Sequence, residues 1–343
     1  MDQTLTQVFY YLVYNLTRAF TAIMQRDSFL YWPFLLSAIV LAVIVSAVAA
    51  TADGEQRGSR WKAAREYLSP AVWWHRSAKA DYRLYIANAL ALPVIFSLLM
   101  FGDTHVVNLI ERALGRAPSI RPGDLASADI FARLAFTVLV FIAYDFGRFV
   151  AHCALHEIPV LWEFHKVHHS AETLNPMTTF RAHPLDLLVM AWVPVVMTGL
   201  VTWIFNQIVA VPLSVYTYLG LHVVLFASNL IGTLRHSNVW LSYGPRWSKW
   251  FISPAQHQLH HSCEATHIGC NRGFELAVWD RMFGSLYVPK KRESFRMGLG
   301  DGTDGEWHNV RRMYVRPFVN AGKKIFGARG PRKVQPPPSQ PSS

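Results

Sequence analysis

Three short runs of this chain concentrate histidine, the side chain that most often binds transition metals through a neutral imidazole. They read HCALH (His152, His156), HKVHH (His165, His168, His169) and HQLHH (His257, His260, His261). On a helix, residues three and four apart share a face, so each run can aim two or three imidazoles at one point. Eleven of the fifteen histidines fall between His152 and His261, the others of that interval being His183, His222 and His236. One zinc takes four protein ligands in a structural site and three in a catalytic one, so the eight histidines of the three runs point to two metals. Imidazole suits iron, zinc, copper and nickel alike, and the residues alone leave that choice open. Metalloprotease chemistry fails locally: His156 and Glu157 begin an HExxH, but Val160 stands where the second ligand belongs. Soluble di-iron bundles use Glu-x-x-His ligands with several carboxylates; here carboxylates are scarce beside the runs.

Further residues are candidates by position. Asp145, Arg148, His152 and His156 follow one helical stripe, so Asp145 either orients a ligating imidazole or pairs with Arg148 or Arg133. Glu157, beside His156, is a second acceptor of this kind or a solvated charge. His222 and His236 are fourteen residues apart, about 21 Å on a continuous helix. Only one of them then reaches a compact cluster, and His236, nearer the third run, is the expected ligand. His183 in RAHP precedes an apolar run, where it serves as a ligand or as a helix start. His267 is a further ligand or, as favoured, a loop residue, and His75, His105 and His308 read as ordinary polar positions.

The elements that must position these groups are apolar. Of 343 residues 52% are hydrophobic and 16% charged, against about 25% charged in soluble domains. Apolar runs at 29–50, 84–102, 129–150, 187–211 and 212–234, the third carrying Arg133, Asp145 and Arg148, approach the roughly 20 residues that a spanning helix needs, the last two as a hairpin through the bilayer. Residues 4–24 are amphipathic. Arg57, Arg60, Lys62, Arg65, Arg76, Lys79 and Arg83 cluster between the first two runs, while Arg112, Arg116 and Arg121 follow the second. The positive-inside rule therefore puts the first loop, and with it 151–185 and 235–343, in the cytoplasm. The expected fold is all-α: an integral membrane, multi-pass helical bundle of four to five transmembrane helices with a cytosolic helical cap carrying a histidine-rich di-metal site. Its expected parts are N-terminal membrane segments (1–128), a catalytic segment (129–289) and a basic extension (290–343) ending in a proline-rich, disordered tail. The net charge of +11 is assigned to anionic lipid rather than nucleic acid. Cys153, Cys263 and Cys270 are too few and scattered for a disulfide framework, and the first residues lack the basic segment of a signal peptide.

The flanks of the histidine runs extend the pattern. HKVHHSAETLNPMTTFRAHPLD, LRHSNVW and NRGFELAVWDRMFGSLY, with the spacing HxxxH, HxxHH, HxxHH, resemble the fatty acid hydroxylase and sterol desaturase superfamily over roughly residues 140–289. The resemblance implies two iron ions, dioxygen as co-substrate, and hydroxylation or desaturation of a lipid substrate, whether fatty acyl, sterol or ether lipid. It also raises His236, in the HSN segment, and His183. An external electron-transfer protein is expected, because no flavin, haem or iron–sulfur motif is present. The competing class is a non-catalytic metal-binding or transporting membrane protein, which should show inverted repeats with ligands at the bilayer midplane.

Overall fold

The computed structural model describes residues 3–52, 62–115, 129–209 and 213–327. Its helices run α1 (Gln3–Phe20), α2 (Trp32–Ala52), α3 (Lys62–Tyr67), α4 (Pro70–Trp73), α5 (Arg76–Leu99), α6 (Asp103–Leu114), α7 (Asp129–Glu157), α8 (Pro159–His169), α9 (Pro184–Ile208), α10 (Val223–Gly232), α11 (Gly244–Trp247), α12 (Pro254–His260), α13 (Val278–Phe283) and α14 (Val310–Phe326). A small antiparallel hairpin, β1 (Thr217–Tyr218) and β2 (Leu221–His222), interrupts them. Arg57, Arg60, Arg116, Arg121 and the proline-rich tail, on which parts of the sequence reading rest, lie outside the described residues.

Three stretches are long and apolar enough to cross a membrane: Arg76–Leu114 (α5 followed by α6), Ile130–Glu157 and Pro184–Ile208. α2, of 21 residues, is apolar over Trp32–Val45, and a shorter apolar helix covers Val223–Gly232. These are the elements that the described residues set against the expected four to five spans. The hairpin expected over 187–234 is corrected. Its second arm is only the ten residues of α10, about 15 Å, half a bilayer core. The cause is local: Leu219 and Gly220 turn the chain through positive φ. The ring of His222 then accepts from the Val224 amide to start α10, while its Nε2 donates to the Thr137 carbonyl on α7.

The long helices meet at one end. At 29 residues, α7 is about 43 Å long and outruns a hydrocarbon core of about 30 Å. His152 and His156 occupy its last turns. Gly147 lets α9 approach α7, since a methyl there would lie 2.6 Å from the Pro194 Cα. Beside this junction, the start of α5, the end of α8 and the turn before α9 are tied by Arg181, which is fully buried. Its guanidinium donates to Asp81 Oδ1 (2.8 Å), the Val167 carbonyl (2.9 Å), Ser170 Oγ (2.8 Å) and the Trp307 carbonyl (3.0 Å). An apolar cluster of Ala80, Leu84, Val167, Trp307 and Met313 packs around the same point. A second cluster, Ala38, Ala42, Tyr67, Leu234 and Val239, seats α2 against the segment that carries His236.

Removing one partner of a buried ion pair strands the other charge, at about 3–5 kcal/mol. Asp81→Ala is therefore expected to lower the unfolding midpoint in detergent sharply, and more than Asp81→Leu combined with Arg181→Met. Equal losses in a thermal melt of the two variants would show that the pair is not what holds this junction.

Candidate metal centre

Nine histidines converge where α7, α8, α12 and the segment after α10 meet, and they form two groups. His152, His156, His165, His169 and His260 make one; His168, His236, His257 and His261 make the other. Within each group the offered ligand atoms lie within 4.8 Å of one another. The helical spacing decides the membership. Each HxxHH run sends its i and i+4 imidazoles to one group and its i+3 imidazole to the other. α8 gives His165 and His169 to the first and His168 to the second; α12 gives His257 and His261 to the second and His260 to the first. All nine are buried except His156 and His168, which are half-buried.

The ring orientations are set from behind. Nδ1 of His152 donates to the Arg272 carbonyl (2.7 Å), that of His260 to the Cys270 carbonyl (2.8 Å), and that of His168 to the Arg181 carbonyl (3.2 Å). His165 Nδ1 lies 3.0 Å from the buried Asp186 carboxylate, and His236 Nδ1 lies 3.0 Å from Thr179 Oγ1. The loop that supplies the Cys270 and Arg272 carbonyls is itself fixed. Asp280 accepts from the Arg272 and Gly273 amides and from Ser285 Oγ. Asn271 donates to the Gln256 carbonyl and accepts from the Tyr287 amide. Gly273 is required here, because a methyl would sit 2.7 Å from the Asp280 carboxylate. The short α12 is held by a reciprocal Ser253–Gln256 cap, and Gln258 reaches across to the Val239 carbonyl (2.7 Å), tying the segment that carries His236 to α12.

This arrangement tests whether a metal fits. A neutral imidazole that donates through Nδ1 keeps only a lone pair at Nε2. His152 and His165 both use Nδ1 as a donor to an acceptor oxygen, yet their Nε2 atoms face each other at 3.1 Å. His156 Nε2 stands 3.2 Å from the Nε2 atoms of His152 and His260. In the second group, His236 Nε2 lies 3.1–3.3 Å from those of His168, His257 and His261. Lone pairs held this close repel unless a cation lies among them. A metal–imidazole bond of about 2.0–2.1 Å places neighbouring ligand nitrogens about 3.0–3.4 Å apart, which these separations match. His169 Nε2, buried without a hydrogen-bond partner, is a further nitrogen that a metal would satisfy. The donor sets, five and four imidazoles, fit two transition-metal ions.

Burial and the neighbouring imidazoles keep these rings neutral. Burial pushes His168 down to about 4 and His260 down to about 3, and it holds His169, His236, His257 and His261 well below the ordinary value of 6.5. Neutrality is the state that binds metal.

The structure brings together His152, His156, His165, His168, His169, His236, His257, His260 and His261. It does not bring in His183, and the tentative ligand role is corrected. His183 caps α9 by accepting from the Leu185 amide at Nδ1 and donates from Nε2 to the Tyr314 carbonyl, so neither nitrogen is free. Asp145 orients no imidazole; it accepts from the Glu275 and Leu276 amides and from Trp279 Nε1, anchoring the loop behind the site. Glu157 pairs with Arg272, whose carbonyl holds His152, and so supports the ligand at one remove. Asp186 was missed. The signal for it was an acid in the first turn of an otherwise apolar helix.

The sign of the pH dependence follows. Above about pH 6.5 folded and unfolded chains both carry neutral rings here. Between 6.5 and about 4 the unfolded chain takes up protons that the folded chain refuses, and stability falls with pH, by roughly a few kcal/mol for His168 alone. The unfolding midpoint of metal-free protein is expected to drop steadily from pH 7 to pH 4. A flat profile over that window would contradict the buried neutral cluster.

Comparison with known proteins agrees with this geometry. The fatty acid hydroxylase family model matches residues 137–285, the stretch that carries all nine imidazoles. The chain is 28% identical to the ornithine lipid hydroxylase of Rhizobium tropici over 59% of its own length and 56% of that protein. It is 30% identical to the alkylglycerol monooxygenase of Danio rerio, over 53% of this chain and 36% of the relative. With a putative Delta(7)-sterol-C5(6)-desaturase of Arabidopsis thaliana it shares 27% identity, over 48% and 53%. The chain thus spans between about a third and somewhat over half of these relatives. No solved structure matches it. Residues 137–285 thus match the fatty acid hydroxylase family, and the histidine pattern, its placement on the helices and these likenesses support the wider fatty acid hydroxylase and sterol desaturase superfamily.

Proposed function

We propose that this chain is a membrane-bound non-haem di-iron oxygenase that hydroxylates or desaturates a lipid. The observation that carries the reading is the pair of adjoining imidazole groups, five and four, with lone pairs aimed inward. Two irons held there would, when bound, supply the reduction of dioxygen and the oxidation of an unactivated C–H bond.

The chain's own residues do the rest. The Arg272, Cys270 and Arg181 carbonyls hold His152, His260 and His168 in the tautomer that presents Nε2. Asp186 fixes the ring orientation of His165. Burial of seven of the nine rings excludes water from the reacting atoms. His156 and His168 are the half-buried rings, one in each group, and they mark where dioxygen and the lipid approach. The membrane reading is supported by the three long apolar helices. A cytoplasmic centre is supported by Arg76, Lys79 and Arg83 at the end of α5 that meets Arg181. Residues 129–289 form the catalytic segment, and electrons come from a separate carrier or reductase. Fatty acyl, sterol and ether lipids all remain within this substrate class.

Purified from cells grown with iron, the protein is expected to carry about two irons per chain and to oxidise lipid only with dioxygen and an added reductase. His260→Ala and His257→Ala should each hold at most one iron and lose activity by more than the ~100-fold typical of a supporting residue. Fewer than one metal per folded chain, or wild-type iron content in either variant, would remove the di-iron reading. Asp186→Asn keeps the shape but weakens the acceptor behind His165. It is expected to lower iron affinity or turnover by ~10–100-fold, and unchanged values would show that the carboxylate is only structural.

A further inference from the structure

Beyond the family segment, α14 has two different faces. Met313, Pro317 and Ala321 form a buried stripe at i, i+4, i+8. Phe318 also reaches inward to the rings of Phe164 and His183 (5.1 and 5.2 Å), and Tyr314 OH donates to Asn88 on α5. The buried carboxylate of Glu163 on α8 accepts from Asn320 (3.0 Å) and pairs with Lys324 (2.7 Å). The helix is therefore docked where α5 and α9 enter their apolar stretches. The opposite face carries Val315, Val319, Ile325 and Phe326, each about half-exposed or more, with Phe326 at 86%. Arg311, Arg312 and Lys323 lie exposed alongside and have no ion-pair partner among the described residues. No acidic residue occurs anywhere in α14.

We infer that α14 lies in the membrane–water interface, its outer stripe in the acyl boundary and Arg311, Arg312 and Lys323 on anionic headgroups. The inference rests on the membrane reading above. An apolar stripe flanked by basic residues, on a helix of low net hydrophobicity, is the signature of an interfacial helix, and its docking beside α5 and α9 makes it continuous with their lipid-facing surface. An acidic protein carrier would use the three cations but leave the valine, isoleucine and phenylalanine side chains in water. Since α14 is fixed to α8 through Glu163, seating it on the leaflet sets the distance between the metal centre and the lipid.

The test is photo-crosslinking of the full-length protein in vesicles of phosphatidylcholine and phosphatidylglycerol in equal parts. Benzoylphenylalanine replaces, one at a time, Val319, Phe326, the exposed Leu98 of α5 and the exposed Arg296 of the polar surface. Lipid adducts are expected at Val319, Phe326 and Leu98 and not at Arg296, with phosphatidylglycerol favoured at the two α14 positions. The combined Arg311→Gln, Arg312→Gln and Lys323→Gln variant should reduce that preference on the order of tenfold while iron content stays unchanged. Lipid adducts at Leu98 with none at Val319 and Phe326, adducts there to a second chain or another protein, or a headgroup preference untouched by the triple variant would overturn the inference. Loss of lipid adducts at Leu98 as well would instead overturn the membrane reading itself.

Discussion

The constraint on which the rest of the structure depends is a repulsion. Nine imidazoles are packed in two groups, eight of them with a ring nitrogen 3.1–3.3 Å from a neighbour's, and several are fixed so that lone pair faces lone pair. Without metal this arrangement is costly, because burial opposes protonating the rings and the carbonyls behind them oppose turning them over. The surrounding fold must supply enough rigidity to hold it, and most of the buried polar contacts near the site serve that end. Arg181 locks the end of α8, Asp280 and Asn271 lock the carbonyl loop, and the Ser253–Gln256 cap locks α12.

The motif residues outside the histidine runs acquire physical roles in this light. The asparagine, glycine and aspartate of the closing NRG and WD segments are not ligands. They shape a turn whose carbonyls choose the tautomer of His152 and His260. Asp145, inside a long apolar helix, is held by two amides and the Trp279 indole and fastens the same turn to α7. A charged residue in this long apolar helix buttresses a loop rather than an imidazole.

Much of this was legible in the residues. The three histidine runs, their convergence and the place of His236 follow from number, spacing and the HSN segment. How the runs divide between two groups does not, because it depends on the rotation of α8 and α12 about their axes, which tertiary packing sets. His183 misled because a histidine before a proline at a helix start serves equally well as a cap, and its two backbone hydrogen bonds decide the matter. The shortness of α10 was hidden in an apolar run whose length suggested a full span; only the positive φ of Leu219 and Gly220 reveals the turn. The extension after 290 carried no motif, yet it closes over Arg181 through Trp307 and forms α14.

The interleaved sharing of α8 and α12 has a further consequence. Each of these two helices feeds both groups, so neither group can be ordered without fixing the helices that build the other. On the di-metal reading proposed above, an ion in either group would fix helices that the other group also uses, so loading of the two would be coupled. Under metal shortage such coupling would divide the molecules into fully charged and empty ones rather than half-charged ones. A lone ion without its partner would then be the rarest form in the population.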